Sequence, residues 1–231
     1  MHLSISQEIL SRCPQAALGV LQYDAQVEPS SAALLEVFDR AIDELSARYT
    51  LGDIAQIPHI AATRQAYKAL GKSPHEYRNA AEAMLRRVVK NNGLYHINNV
   101  VEINNLISIS SGYSIGSYDV SQLQGDIVLD RVGEGVHYDG IGKASVNIEF
   151  LPTLCDSLGP FGNPTSDSQR AMIQKGPRTV LSVLYAFDGT TDLFPWMERF
   201  AGLVRQSWGG GDVQTWVVTG SFRCGCPENS M

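Results

Sequence analysis

The chain has 231 residues, of which 44% are hydrophobic and 18% are charged. Such a composition is ordinary for a globular domain and excludes a disordered or fibrous chain. The net charge of −6 argues against attraction of the whole surface to nucleic acid, so that an RNA partner would need a local basic patch.

No run of about 18 apolar residues is present, and the N-terminal stretch lacks the basic start and the cleavage site of a signal peptide. We therefore expect a cytoplasmic protein without a membrane partner. The four cysteines show no metal-ligand spacing, and we expect neither a metal nor another cofactor. These cysteines are Cys13, Cys155, Cys224 and Cys226.

The N-terminal part, residues 1–57, is predicted to open with a short strand and one turn of helix. A buried strand over residues 16–25 follows, and then a helix that is capped at residues 29–31 and continues to about Tyr49. Another helix is predicted over residues 60–70, because Gly71 stands just past its last turn. His59, His75 and His96 flank predicted helix ends and are expected at the surface.

A basic helix is predicted to begin at Ser73, with Pro74 in its first turn and Glu76 three residues after the capping serine. Its apolar positions recur at helical spacing on one face. Four cations gather on the opposite face, and both a solvated surface and a phosphate-binding surface are open interpretations. The candidate nucleic-acid-binding residues are Arg78, Arg86, Arg87 and Lys90.

The stretch from Asn98 to Asp119 is predicted to be an apolar helix that runs into a glycine-rich turn. Asn99 and Glu102 fit a capping box at its start. The apolar positions leave little room for a solvent face, so at least one of Asn104 and Asn105 should be buried. An unpaired buried amide costs about 1–3 kcal/mol, so these side chains need a structural partner or a ligand.

The C-terminal half is predicted to be rich in strands. A half-buried strand over residues 125–131 precedes several short strands, residues 151–178 are expected to be loop-rich, and residues 179–187 form a strand covered on both faces. A helix from about Thr191, a last strand over residues 212–220 and a frayed tail over residues 221–231 complete the chain. This element order predicts the α+β class, and the glycines do not form a dinucleotide fingerprint.

Residues 58–219 resemble a known family. The most specific part is Val101-Glu102-Ile103-Asn104-Asn105 followed by Gly112-Tyr113-Ser114-Ile115-Gly116-Ser117-Tyr118-Asp119. In the phenylalanyl-tRNA synthetase beta chain, the matching segment has valine, aspartate, two further residues and asparagine, followed by an apolar helix and then Gly-x-Pro-Leu-His-Ala-Phe-Asp. The residues of this sequence align with that segment without a gap. The chain thus resembles the B3/B4 domain of that beta chain, and more closely the free-standing B3/B4 proteins of bacteria and archaea. Phe161-Gly162-Asn163-Pro164 resembles the glycine-rich turn of the same domain.

The resemblance implies a single B3/B4-like domain over residues 1–231, with a β-sandwich core of unusual topology and helices packed on it. In the synthetase this domain is an editing site, which hydrolyses tyrosine wrongly esterified to the phenylalanine tRNA. That chemistry needs no covalent nucleophile, because a water is placed against the ester and a pocket recognises the amino acid.

Asn105 falls on the asparagine of the family's pocket. The full set of candidate substrate-binding residues is Asn104, Asn105, Gly112, Ser114, Gly116, Ser117, Phe161 and Gly162. Two positions depart from the family: its histidine falls on Gly116, and its acidic residue for the tyrosine hydroxyl falls near Val183. Valine cannot bind a hydroxyl, so specificity for tyrosine is not implied. His137 and Glu134 lie nearby in sequence, either as substitutes or as exposed loop residues.

Two functions stay open. One is a stand-alone protein that binds aminoacylated tRNA and hydrolyses a mischarged ester in trans, which makes it an editing deacylase and not a synthetase. The other is a binding protein for an amino-acid-like small molecule that kept the pocket without catalysis. Neither involves DNA. A serine nucleophile within residues 165–168 would be a third, but no G-x-S-x-G elbow or paired histidine accompanies it.

Overall fold

The computed structural model describes residues 1–208 and 212–220. The helices of this part are α1 (Gln7–Arg12), α2 (Ala32–Arg48), α3 (Pro58–Leu70), α4 (Ala80–Val89), α5 (Asn99–Ser111) and α6 (Leu193–Trp208). The strands are β1 (Leu3–Ile5), β2 (Ala17–Val27), β3 (Ser114–Asp119), β4 (Ile127–Arg131), β5 (His137–Asp139), β6 (Ser145–Asn147), β7 (Pro152–Asp156), β8 (Gly159–Gly162), β9 (Gly176–Ala186) and β10 (Val213–Thr219).

Two four-stranded sheets form the centre of the molecule. The first has the order β1-β4-β7-β8, with β1 and β4 parallel, and the second has the antiparallel order β10-β2-β9-β3. Strands β5 and β6 form a separate hairpin. The second sheet departs from chain order, and most neighbours in the first sheet are not consecutive in the chain, so the pairing depends on long connections.

Apolar side chains fill the space between the two sheets. Leu129 and Leu154 of the first sheet belong to one buried cluster with Leu18 and Leu181 of the second sheet. The other face of the second sheet packs on α5 and α6, in a cluster that includes Val180. Strand β9 is therefore covered on both faces, which confirms the prediction for residues 179–187 and the α+β sandwich with helices packed on it.

The basic helix begins later than predicted. Helix α4 starts at Ala80, because the side chain of Asn79 accepts from the backbone N–H of Glu82 and caps it. Ser73 only closes a preceding turn, in which its carbonyl accepts from the N–H of Tyr77. The prediction of a start at Ser73 was wrong because the serine-proline signal marks a turn here.

The cap of the central helix also differs from the prediction. Asn98 caps α5 by accepting from the N–H of Val101, while the carboxamide of Asn99 bonds the backbone of Glu28 and Gln26. Gly112 ends α5 as predicted, with a φ of 85° that favours glycine.

Residues 151–178 are more regular than expected. They contain β7, β8 and the first residues of β9, with a short 3-10 turn over residues 169–171. Gly159 has a positive φ of 111° at the start of β8, where the chain reverses from β7. The glycine and proline in this region serve a strand turn, so the loop-rich prediction was wrong for most of it.

Candidate functional site

A cavity of about 290 Å³ lies between α4, α5, β3 and the segment that follows β8. Its size suits a small ligand or part of a larger one. The apolar residues that line it are Ala80, Met84, Ile97, Val101, Ile115, Ile141, Met172 and Ile173. The polar residues that line it are Asn98, Asn104, Asn105, Ser117, Asn163, Thr165, Ser166 and Asp167.

The helix wall of the cavity, formed by α5, carries the two adjacent asparagines. Asn104 is buried, and its amide donates to the carbonyl of Ile115 at 3.1 Å while its side-chain oxygen accepts from the hydroxyl of Ser117 at 3.0 Å. Asn105 is only partly buried, and no described residue hydrogen-bonds its carboxamide. Asn104 therefore has a structural role, and Asn105 has a side chain available to a ligand.

Ser117 of β3 extends the polar contacts of the helix wall into the sheet. Its hydroxyl lies 2.8 Å from the hydroxyl of Ser182 in β9, which lies 3.1 Å from that of Tyr23 in β2. Ser182 is fully buried, so this series of hydrogen bonds satisfies polar groups that would otherwise be unpaired in the core. The same hydrogen bonds fix the rotamer of Ser117 where it lines the cavity.

A second part of the lining, which we call the loop wall, comes from residues 163–167. Asp167 is its only acidic residue, and its Oδ1 accepts from the hydroxyl of Tyr118 at 2.8 Å. The Tyr118 hydroxyl lies 2.8 Å from that of Tyr185. Burial raises the pKa of Asp167 to about 7, while hydrogen bonds from Tyr118 and the Asn163 backbone oppose the rise. The Asp167 carboxyl can therefore bind or release a proton near neutral pH.

Further tyrosine hydroxyls hold the loop wall in place. Tyr138 donates to the carbonyl of Ser166 and accepts from the amide of Asn163 at 2.7 Å. The hydroxyls of Tyr67 and Thr165 lie 2.7 Å apart. Burial raises the pKa of Tyr67 and Tyr138 above the usual range, so both hydroxyls stay neutral. The loop wall is thus attached to α3, β3 and β5 by side chains.

Several candidate residues surround Tyr118 and do not line the cavity. A Cβ at Gly116 would lie 1.9 Å from the Tyr118 hydroxyl oxygen, and a Cβ at Gly162 would lie 2.1 Å from it. Phe161 is fully buried and meets the Tyr118 ring edge to face. Val183, opposite Gly116 in the sheet, is also buried. Glycine at positions 116 and 162 therefore makes room for the tyrosine that holds Asp167.

Gly112 and Ser114 also lie away from the cavity lining. A Cβ at Gly112 would lie 2.9 Å from the side chain of Ile57, so the end of α5 packs closely on the start of α3. The buried hydroxyl of Ser114 donates to Oδ1 of Asn79 at 3.4 Å and accepts from the N–H of Ala81. Both residues position helices that border the cavity.

The predicted cations line a groove beside α4. Its lining residues are Glu76, Arg78, Ala83, Arg86, Arg87, Lys90 and Asn92. Glu82 is fully buried beside it and pairs with Arg64 at 2.8 Å, Arg86 at 3.0 Å and Arg78 at 3.8 Å. The Arg86 guanidinium is thus partly neutralised by the buried carboxylate of Glu82.

Arg87 and Lys90 complete the groove. Arg87 donates to the carbonyls of Asn92 and Gly93 and lies over the ring of Tyr95. Lys90 is exposed, and no described acidic residue pairs with it. The groove keeps a net positive charge, because its cations outnumber the carboxylates of Glu76 and Glu82.

His59 is buried, which corrects the expectation of a surface position. Its Nδ1 lies 2.6 Å from Asp188 Oδ2 and its Nε2 lies 3.7 Å from Asp192 Oδ2, and its ring stacks on Tyr113 at 3.8 Å. These contacts join the start of α3 to the chain after β9. His75 and His96 are exposed as expected.

The remaining candidates do not join the cavity. His137 and Glu134 are exposed, and neither lines it. Ser168 caps the turn over residues 169–171, and no histidine is among the described lining residues. Among the residues described, no cluster of histidine, cysteine and acidic side chains could hold a metal. Cys224 and Cys226 lie outside the described residues.

None of the helices in the described part combines the length and apolar composition needed to cross a membrane.

Asp167 was not among the residues identified from the sequence. The polar run of residues 165–168 after a glycine-proline turn was a signal of a functional loop, but it did not distinguish the aspartate from its neighbours.

Comparisons with known proteins identify the family. A family model described as the B3/4 domain matches residues 62–191, more than half of the chain. No curated protein sequence matches.

Among solved structures, the crystal structure of an N-terminal fragment of the phenylalanyl-tRNA synthetase beta-subunit from Pyrococcus horikoshii is similar, with a TM-score of 0.47 and 9% identity. The match covers 92% of this chain and 50% of that one, so the chain spans about half the length of the fragment. By the family model, the chain belongs to the B3/4 domain family.

Proposed function

We propose that the chain binds aminoacylated tRNA and hydrolyses a mischarged aminoacyl ester in trans. The observation that carries the proposal is the cavity, which is lined both by Asn105, whose amide is available, and by Asp167. The basic groove beside α4 supports it, because the rest of the chain is acidic. Family membership supports it as well.

The charge of the cavity favours an ester over a free amino acid. Asp167 is the only ionisable side chain among its described lining residues, and no lysine, arginine or histidine lines it. A free amino acid would bring an uncompensated carboxylate into this space, which costs free energy. In an aminoacyl ester that carboxylate is neutralised, while the α-ammonium remains available to Asp167 or to amide oxygens.

Asp167 has the protonation behaviour of a general base. In the proposed reaction the ionised carboxyl takes a proton from a water as the water oxygen bonds to the ester carbonyl carbon. The bond from that carbon to the ribose oxygen then breaks, and the ribose oxygen takes up the proton that Asp167 accepted, which leaves the carboxyl ionised again. Asn105 is proposed to hold the carbonyl or the ammonium of the aminoacyl group, and Ser117 to supply a further polar contact.

The test is a panel of deliberately mischarged tRNAs, one per amino acid, assayed for released amino acid at low salt. We expect release from at least one member, with a rate that rises as pH increases through about 7. Asp167→Asn should lower the rate by about 10²–10⁴-fold and remove this pH dependence. Asp130→Asn is the matched control, because Asp130 is also partly buried but lies in β4.

The groove is tested separately by the salt dependence of tRNA retention. Lys90→Ala should reduce the slope of log affinity against log salt by about 0.7–0.9, because the lysine has no internal partner. Arg86→Ala is not an equivalent control, since it removes a partner of the buried Glu82. Neither release nor retention of any tRNA at low salt would contradict the proposal.

A binding protein for an amino-acid-like small molecule remains the second candidate. The observation in its favour is that Arg86 and Arg78 are drawn to Glu82, which weakens the groove as a phosphate site. Thermal unfolding with amino acids and their methyl esters discriminates between the candidates. A bound ligand at 100 times its dissociation constant should add about 2.7 kcal/mol. Stabilisation by free amino acids without tRNA retention would favour this second function.

A further inference from the structure

Tyr95 has a large side chain that is mostly exposed to solvent. It is 71% exposed, more than any other exposed large apolar side chain of the described residues. It lies in the connection of residues 92–98, which has no regular secondary structure and joins α4 to α5. An aromatic ring at such a position loses apolar contact with water when a flat partner stacks on it.

Tyr95 lies between the groove and the cavity. The Arg87 guanidinium, which lines the groove, is 4.9 Å from the centre of the Tyr95 ring. Two residues later, Ile97 is 58% exposed and lines the cavity. Met84, one turn before Arg87 on α4, lines the cavity as well.

The connection that carries Tyr95 is held at both ends. Arg87 donates to the carbonyls of Asn92 and Gly93 at 3.3 and 3.2 Å. On the other side, the N–H of Ile97 donates to the buried carboxylate of Glu102 at 2.5 Å. The ring is therefore presented in a defined place, which lowers the entropy lost on binding.

We propose that Tyr95 and Arg87 form a stacking platform for the base of the 3′-terminal nucleotide of an RNA. This inference rests on the proposed function. An RNA whose phosphates follow the cationic groove would bring its last base to Tyr95 and its esterified ribose to the cavity. Aromatic rings and guanidinium planes stack on bases of any sequence, and the net positive groove complements the phosphates.

The test uses the full chain and two fluorescent single-stranded RNAs that differ only at the 3′ end, where one has adenosine and the other an abasic ribose. Wild type should prefer the adenosine end by about 5- to 100-fold. Tyr95→Ala should lose this preference and keep the affinity for the abasic RNA, while Tyr95→Phe should retain it. Leu158→Ala is the control, because Leu158 is similarly exposed at 58% but lies in the turn between β7 and β8.

Two outcomes would overturn the platform alone. One is an unchanged preference in Tyr95→Ala, and the other is an equal loss of affinity for both RNAs, which would assign Tyr95 to the shape of the connection. In both cases RNA binding by wild type leaves the proposed function standing. If wild type binds neither RNA at low salt, the platform fails, while the proposed function is decided separately by the assay with mischarged tRNAs.

Discussion

The two walls of the cavity are built in different ways. In the helix wall, Asn104 and Asn105 are neighbours in sequence and both line the cavity, and the helical turn buries Asn104 more deeply than Asn105. In the loop wall, Asp167 is held by Tyr118, which lies 49 residues away in the chain. The periodicity of one helix positions the residues of the first wall, whereas contacts between residues distant in sequence position those of the second. Asp167, the only ionisable side chain among the described lining residues, belongs to the second wall.

Of the substitutions that distinguish the two walls, Asp167→Asn should cause the largest change in the free energy of unfolding. The folded pKa of about 7 lies above the ordinary 3.8, so the folded chain binds the proton more tightly than the unfolded chain. Stability from this group is therefore full below about pH 4 and falls until about pH 7. Relative to wild type, Asp167→Asn should gain about 2–4 kcal/mol of unfolding free energy between pH 4 and pH 8.

Denaturant unfolding of both proteins at several pH values measures this difference. A difference that stays constant from pH 4 to pH 8 would contradict the assignment of a raised pKa to Asp167. No comparable pH dependence is expected from Asn105→Ala, because an amide does not titrate in this range.

The next effect tests the support of the loop wall. In Gly162→Ala the new methyl group would lie 2.1 Å from the Tyr118 hydroxyl oxygen. We expect a loss of about 1–3 kcal/mol of unfolding free energy, because the buried ring must shift. Gly133→Ala is the control, since a Cβ there meets nothing within 4 Å. Equal stability of the two variants would show that Tyr118 has room to move.

The helix wall should separate stability from binding. Asn104→Ala leaves the Ile115 carbonyl and the Ser117 hydroxyl without this partner and should cost about 1–2 kcal/mol. Asn105→Ala should change stability by less than about 0.5 kcal/mol and weaken ligand binding. Thermal unfolding and the deacylation assay of each variant measure the two effects. The reverse ranking of stability would exchange the roles of the two asparagines.

The smallest effect concerns the coupling of the walls. No hydrogen bond joins Asn105 to Asp167 among the described residues, so the stability changes of Asn105→Ala and Asp167→Asn should add within about 0.5 kcal/mol. Their effects on ligand binding should not add, because one ligand would contact both. A double-mutant cycle measures both quantities. Strong coupling in stability would mean that the walls already contact one another.

The sequence was sufficient for those parts that depend on local pattern. Apolar periodicity predicted α5 and the burial of an asparagine within it, and a continuous apolar run predicted that β9 is covered on both faces. The prediction that a helix begins at Ser73 was wrong because the same serine-proline signal suits both a turn and a helix. Strands β7 and β8 were missed because glycine and proline also occur where adjacent strands reverse.

The candidate site was predictable only in part. Asn104, Asn105 and Ser117 do line the cavity, whereas the remaining candidates support it from outside. Asp167 could not be found, because its environment depends on Tyr118 and Tyr185, whose side chains meet only after the two sheets have packed. The burial of His59 likewise depends on Asp188, which is 129 residues away.

The close approach of Gly116 to Tyr118 limits how this domain can be re-engineered. A histidine introduced at position 116 would direct its side chain into space already filled by the tyrosine ring. A designer would have to shorten residue 118 first, and that step would release the aspartate. A pocket with histidine at position 116 and a pocket with the Tyr118–Asp167 contact therefore cannot be exchanged by one substitution at a time. A library that varies positions 116, 118 and 167 together is needed to convert one into the other.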